Sequence, residues 1–172
     1  VLSKPAFDNL EEYELLHVAT HGYYKKTPQS TERLEELLLS SGLFLSQPFV
    51  VTPKGVIQVN QDGFLTVDNI RNLNTRNLKL VALSACNSGQ GKFINLGDFF
   101  GIQRAFFIAG AKFVISSLWE VSDSYALDFM NHFYQLWMDE QDIQQAFDRA
   151  QAQMKVKYSD PRKWASFVLY HR

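Results

Sequence analysis

The chain has very little cysteine and almost no net charge, and each shortage excludes a class of function. Its single cysteine, Cys86, cannot form an internal disulfide, so the sequence carries no mark of an oxidising compartment. The 17 basic and 18 acidic residues leave a net charge of −1, which provides no electrostatic field for nucleic acid or an anionic membrane. We therefore expect no direct contact with nucleic acid.

Long apolar runs and repeats are missing as well. No stretch reaches the length of a membrane span, and the N-terminus lacks the basic and apolar pattern of a signal peptide. These absences favour a cytoplasmic protein with no membrane partner. Because the chain begins with "VLSKPAFDNL" and no initiator Met, we expect a fragment of a longer protein.

The residues that are present suit one folded domain. The chain has 172 residues, of which 46% are hydrophobic, and this is enough to bury a large core. Apolar runs predict strands over residues 13–20, 78–85 and 113–119, and "WASFVLYHR" predicts a last strand. Residues 97–112 predict a helix that includes Phe99 and is capped by Gly110, and two further helices are predicted over 123–138, with Ser122 or Asp123 as N-cap, and over 142–157. The alternation predicts an α/β domain with a mostly parallel central sheet flanked by helices.

Two smaller elements are also predicted. "LTVDNIRNL" has the pattern of a short helix capped near Thr66, and the two β-type runs between residues 42 and 63 predict a peripheral hairpin or an extended excursion.

Polar residues follow three of the predicted strands. His21-Gly22 comes after the first strand, Cys86 after the strand 78–85, and Glu120 to Asp123 after the strand 113–119. Because functional groups gather at the carboxyl ends of strands in open α/β sheets, these segments should converge on one edge. A thiol with a pKa of roughly 8.5 needs a nearby imidazole to supply thiolate at neutral pH. The pattern thus makes Cys86 a candidate nucleophile that His21 could assist, although a cysteine at a strand end is more often a small buried residue than a nucleophile.

Two other interpretations stay open at this point. A cysteine at a strand end is often only a small buried hydrophobic residue. His17 and His21 have the four-residue spacing of helical zinc ligands, which would make a metal-dependent hydrolase. The segment predicts a strand rather than a helix, however, and it lacks the glutamate of that zinc motif, so His17 is better read as a histidine buried in the sheet.

The segments "LLHVATHG", "LKLVALSACNSGQG" and "GIQRAFFIAGAKFVISSLWEVSD", in this order, resemble the CHAT domain family, caspase-like domains often found with tetratricopeptide repeats. The resemblance extends from about residue 13 to 170. It implies a caspase-like three-layer α/β sandwich and a cysteine peptidase with catalytic His21 and Cys86. It also implies an oxyanion hole made by the backbone N–H groups of Gly22 and Cys86, with no metal and no cofactor.

The resemblance further implies a domain organisation and partners. Residues 1–172 would form one CHAT peptidase domain that acts on a protein or peptide substrate. CHAT domains commonly begin further upstream, so we expect the N-terminal strand and helix to be missing here. An upstream repeat or regulatory domain is expected in the full-length protein.

"LWEVSDSYALDF" is similar to a separase segment in which an aspartate binds a basic P1 side chain. This similarity implies a substrate-binding role for Asp123, with Glu120 as the alternative acidic residue. An aspartate at this place could equally serve only to cap the following helix. A non-catalytic CHAT domain that acts as an interaction or scaffold module is the rival function.

Overall fold

The computed structural model describes residues 4–24, 41–45, 49–51, 57–86, 92–93 and 99–172. The strands are β1 (Leu15–Tyr24), β2 (Ser41–Phe44), β3 (Phe49–Val51), β4 (Ile57–Val59), β5 (Phe64–Thr66), β6 (Leu80–Cys86), β7 (Lys92–Phe93), β8 (Phe99–Phe100), β9 (Phe113–Ser117) and β10 (Phe167–His171). The helices are α1 (Val67–Arg71), α2 (Ile102–Ala109), α3 (Asp123–Glu140) and α4 (Ile143–Lys157). Short 3-10 helices span Lys4–Phe7, Leu10–Glu12, Gln61–Gly63 and Pro161–Lys163.

A six-stranded sheet in the order β10-β9-β6-β1-β2-β5 forms the middle layer. The strand β6 pairs in parallel with β1 on one side and with β9 on the other. Leu80 and Ala82 on one face of β6, and Val81 and Leu83 on the other, are fully buried, as expected for an apolar strand covered on both faces. The predicted central parallel strand is confirmed, and so is the α/β sandwich with helices flanking the sheet.

The outer strands of the sheet pair in the antiparallel direction. β10 lies against β9, and β5 lies against β2. The strand predicted at the C-terminus is confirmed, and it forms one edge of the sheet. In the stretch 42–63, predicted as a peripheral hairpin or excursion, β3 and β4 form an antiparallel pair outside the main sheet, whereas the first run is wrongly predicted as peripheral, because it belongs to β2 of the main sheet.

The strand β1 continues beyond its predicted end. Its parallel pairing with β6 runs from Leu15 opposite Leu80 to His21 opposite Cys86. From Gly22 onward β1 pairs with β2 instead. The prediction that residues 21 and 22 come after the strand is wrong, because β1 gains β2 as a second partner and extends to Tyr24.

One face of the sheet is covered by α1 and α2. The helix α1 begins with a capping box, in which Thr66 Oγ1 accepts the backbone N–H of Asn69 and Asn69 Oδ1 accepts that of Thr66. Gly110 ends α2 with a left-handed φ of +117°, as predicted. The predicted start of this helix is wrong, because Phe99 belongs to β8 and α2 begins only at Ile102.

The other face is covered by α3 and α4. Ser122, not Asp123, is the N-cap of α3, which places Ala126, Phe129, Met130 and Phe133 against the sheet. The Phe129 ring stacks on Phe167 of β10 with centroids 4.6 Å apart. Since burying one such side chain contributes about 1.5–3 kcal/mol, this aromatic layer is a main source of the attachment of α3 to the sheet.

Candidate functional site

His21 lies at the carboxyl end of the paired region of the two central strands. It is the last residue of β1 in register with β6, and its partner in that register is Cys86. Neighbouring strands are about 4.8 Å apart, so the backbones of these two predicted site residues lie side by side. The His21 side chain is exposed to solvent. The topology thus brings together two positions that are far apart in the sequence.

A cavity of about 320 Å³ opens beside His21. Its walls come from the ends of β1, β6 and β9, from the β9–α3 connection, and from the start of β10. The lining residues are Ala19, Thr20, His21, Ser84, Ser117, Val121, Asp123, Ala126 and Phe167. The floor is apolar at Ala126 and Phe167, whereas hydroxyl groups and one carboxylate line other parts. Such a cavity suits an extended side chain with a polar or charged end.

Asp123 supplies the carboxylate of this lining. It is the first residue of α3, is exposed, and follows the N-cap Ser122, whose side chain makes no capping bond to the helix. Glu120, the alternative acidic residue, is also exposed, but it is not among the residues that line the cavity. The geometry therefore favours Asp123 over Glu120 as a group that could meet a ligand in the cavity.

Gly22 lies one residue after His21 but within β1, opposite Leu43 of β2. Its neighbour Thr20 ties the same two strands together, because its hydroxyl donates a hydrogen bond of 2.6 Å to the carbonyl of Phe44. The predicted oxyanion donor thus sits in a hydrogen-bonded strand next to the cavity. The glycines at positions 89 and 91 lie outside the described residues.

His17 is separated from the candidate site. Four residues of strand place it about 13 Å from His21 along β1, too far for the two imidazoles to share one metal ion. A hydrogen bond of 3.0 Å joins His17 Nδ1 to the Tyr134 hydroxyl of α3, and packing at this contact lowers the pKa of His17 through desolvation. No group of three or more potential metal ligands occurs within the ranges given above. In those same ranges, no helix is long and apolar enough to cross a membrane.

The structure adds residues that sequence reasoning missed. Ser84 and Ser117 line the cavity from neighbouring strands, and each carries a hydroxyl near the end of its strand. Ser84 lies two residues before Cys86, and Ser117 ends the segment "FVISS". Because alternate residues of a strand share a face, these positions were the sequence signal for the two serines. Trp119 was also missed as a tether, because its indole N–H donates to the Arg162 carbonyl at 3.1 Å. No local pattern reveals that contact between distant segments.

A search of curated proteins finds no match. The family model described as "CHAT domain" matches residues 2–172, which is nearly the whole chain. We conclude that this protein belongs to the CHAT domain family, which is related to the caspase-like peptidases.

Proposed function

We propose that this domain is a cysteine endopeptidase in which His21 and Cys86 form the catalytic dyad. The observation that carries the proposal is the register of the two central strands, in which these residues are partners beside a cavity at the carboxyl end of the sheet. Membership of a family related to caspase-like peptidases supports the same reaction class.

The chemistry follows from the properties of a thiol and an imidazole. His21 takes the proton of the Cys86 thiol, and the resulting thiolate attacks the scissile carbonyl carbon. The tetrahedral intermediate collapses when His21 returns the proton to the leaving amine, which leaves an acyl-enzyme. A water molecule, deprotonated by His21, then attacks the acyl carbon and releases the carboxylate product and the free thiol.

The oxyanion of each tetrahedral intermediate needs hydrogen-bond donors in fixed positions. We assign this role to the backbone N–H groups of Gly22 and Cys86. Their strands are held in place by the β1–β6 and β1–β2 pairings, so little reorganisation would accompany the reaction.

The substrate in this proposal is a protein segment with a basic side chain at P1. The cavity is large enough for a long side chain, and the Asp123 carboxylate at its wall can accept two parallel hydrogen bonds from a guanidinium group. Further domains of the full-length protein, with repeats among them, would regulate the peptidase in the cytoplasm. The resemblance to repeat-associated CHAT domains is the support for that regulation.

The dyad is tested first by chemical labelling, because Cys86 is the only thiol in the sequence. Iodoacetamide should label Cys86 faster at pH 7 in the wild type than in His21→Gln, since the imidazole favours the thiolate. The matched control is His17→Gln, which removes an imidazole four residues earlier in the same strand. Equal labelling rates in all three proteins would contradict the dyad.

Peptide cleavage tests the reaction itself. The wild type should cleave a peptide panel, and Cys86→Ala should abolish cleavage, while His21→Gln should reduce kcat by about 10²- to 10⁴-fold. Cleavage by Cys86→Ala at the wild-type rate would refute the proposal. If neither this domain nor the full-length protein labels or cleaves, the non-catalytic interaction module is the better description. Activity in the full-length protein alone would instead indicate regulation by its other domains.

The role of Asp123 is tested by the difference between two peptides. Asp123→Asn keeps the shape of the side chain and should lower kcat/KM for an Arg-P1 peptide by roughly tenfold to hundredfold, with little effect on a Met-P1 peptide. Glu120→Gln is the matched control and should leave both values unchanged. An equal loss for the two peptides would show that Asp123 acts only through the stability of α3.

A further inference from the structure

One wall of the cavity is formed by the short connection between β9 and α3 and by Asp123, the first residue of α3. This connection spans residues 118–122, and Val121 within it lines the cavity together with Asp123. The side chain of Ser122 caps no backbone N–H of α3, and its hydroxyl instead forms a hydrogen bond of 3.1 Å with the hydroxyl of Ser124 in the first turn. The Ser122 carbonyl accepts the backbone N–H groups of Tyr125 and Ala126, but no side chain caps the helix, so contacts with other segments contribute to the position of the wall.

Two hydrogen bonds connect the wall to the segment before β10. The backbone N–H of Leu118 donates to the Ser166 carbonyl at 2.9 Å, and the indole Nε1–H of Trp119 donates to the Arg162 carbonyl at 3.1 Å. The first is a backbone bond that any residue at 118 would make. The second depends on the side chain of Trp119 alone.

The acceptor of the Trp119 bond is itself well organised. Arg162 lies in the 3-10 helix Pro161–Lys163, for which Asp160 is the N-cap and accepts the Arg162 backbone N–H at 3.0 Å. The Arg162 guanidinium also pairs with Asp160, with Nη2 and Oδ2 2.9 Å apart. The Arg162 carbonyl is therefore a defined anchor point, and Trp119 links the wall to it.

The anchor is also connected to the first turns of α3. The Lys163 ammonium group lies 5.2 Å from the centre of the Tyr125 ring, and Tyr125 packs edge to face against Tyr158 at 4.9 Å. The Tyr158 hydroxyl donates to Asp128 at 2.9 Å. The contacts of Tyr125 and Asp128 thus hold the start of α3 against the segment whose Arg162 carbonyl accepts the Trp119 bond.

We propose that Trp119 is a positioning residue, whose indole N–H fixes the cavity wall and so sets where Asp123 meets the substrate side chain. The inference rests on the proposed peptidase function for its kinetic consequence. Trp119 does not touch the reacting atoms in this scheme; it acts through Asp123. Its loss should therefore affect substrate binding at the cavity and leave the Cys86 chemistry intact.

The kinetic test uses Trp119→Phe, which removes the N–H and keeps an aromatic ring. KM for an Arg-P1 peptide should rise about fivefold, the equivalent of about 1 kcal/mol for one hydrogen bond, while kcat stays within about twofold. A Met-P1 peptide should be affected less than about twofold. In an Asp123→Asn background the same change should have no further effect, because residues that act as a unit are not additive. Trp137→Phe, towards the other end of α3, is the matched control.

Asp160→Ala removes both the N-cap and the ion pair of the anchor without touching the wall and should reproduce the rise in KM. An equal effect of Trp119→Phe on both peptides, or an undiminished effect in the Asp123→Asn background, would overturn the inference. Hydrogen exchange separates its failure from that of the proposed function. Trp119→Phe should accelerate exchange of the amides of residues 118–124 whether or not the protein is a peptidase, and unchanged exchange would refute the positioning role itself.

Discussion

The two faces of β1 differ sharply in burial, although they belong to the same ten residues. Towards α1 and α2, Val18 is only 1% exposed and packs in a continuous apolar core. Towards α3, Leu15 is 37% exposed and His17, Ala19 and His21 are exposed as well, so the expectation that His17 is buried in the sheet is wrong. The adjacent residues of β6 on that second face, Leu80 and Ala82, are fully buried.

Within one sheet, one set of residues provides stability, and another leaves the candidate site accessible to solvent. The covered face of β1 and residues 80–83 of β6 supply the apolar contacts that hold the strands in register, whereas the open face of β1 presents His21 to solvent. A candidate catalytic side chain can therefore be reachable while its backbone stays fixed by a parallel partner. This arrangement is what a preformed site requires.

The largest expected effect lies where α3 covers the sheet. Phe129→Ala should lower the free energy of unfolding by about 3–5 kcal/mol, because the ring is fully buried and stacks on Phe167. Leu127→Ala, two residues earlier in the same helix and 63% exposed, should change it by less than about 0.5 kcal/mol. Urea denaturation of both variants measures the difference. Similar losses would contradict the assignment of the core to one side of α3.

A second pair of variants tests the two faces of β1 directly. Val18→Ala should destabilise the protein by about 2 kcal/mol, through lost burial and the cavity left behind. Leu15→Ala removes a larger group from the open face, yet it should cost less than about 1 kcal/mol. If Leu15→Ala proves the more damaging in denaturant titrations, the open face is covered in solution and the comparison fails.

A pH dependence should appear on the open face at His17. Desolvation at the Tyr134 contact lowers the pKa of His17 in the folded state below the unfolded value of about 6.5. The unfolded chain then binds the proton more readily, so the contribution of His17 is fully present above pH 6.5 and is lost as the pH falls through the folded pKa. Unfolding free energies at pH 7.5 and 5.5 should therefore fall more for the wild type than for His17→Gln. An identical fall in both proteins would exclude His17 as the source.

The parts of the fold that the sequence predicted correctly are those with local signals. The apolar run of β6, the helix cap at Thr66 and the C-terminal cap at Gly110 each depend on neighbouring residues, and the structure has all three. The continuation of β1 beyond residue 20 could not be predicted, because it depends on pairing with β2.

The residues of the candidate site likewise fall into those that sequence patterns indicate and those that they do not. His21, Cys86 and Asp123 stood out because polar residues follow apolar strands, and the family resemblance assigned their roles. The cavity hydroxyls of Ser84 and Ser117, and the Trp119 tether, depend on distances between segments that are remote in sequence. Residue patterns identify candidate groups but not the non-local contacts that position them.

The smallest expected effect concerns two serines that are both fully buried. Within the described part of the chain the Ser166 hydroxyl has no hydrogen-bond partner, while the Ser166 carbonyl accepts the Leu118 N–H near the cavity. Ser166→Ala keeps that backbone bond and removes a buried hydroxyl that stabilises nothing, so we expect no loss and a gain of up to about 1 kcal/mol. Ser116→Ala is the matched control and should cost about 1–3 kcal/mol, because it leaves the Gln103 amide that donates to Ser116 Oγ at 3.0 Å without this acceptor. Thermal unfolding compares the two, and a loss in Ser166→Ala as large as that in Ser116→Ala would show that the Ser166 hydroxyl is satisfied in solution.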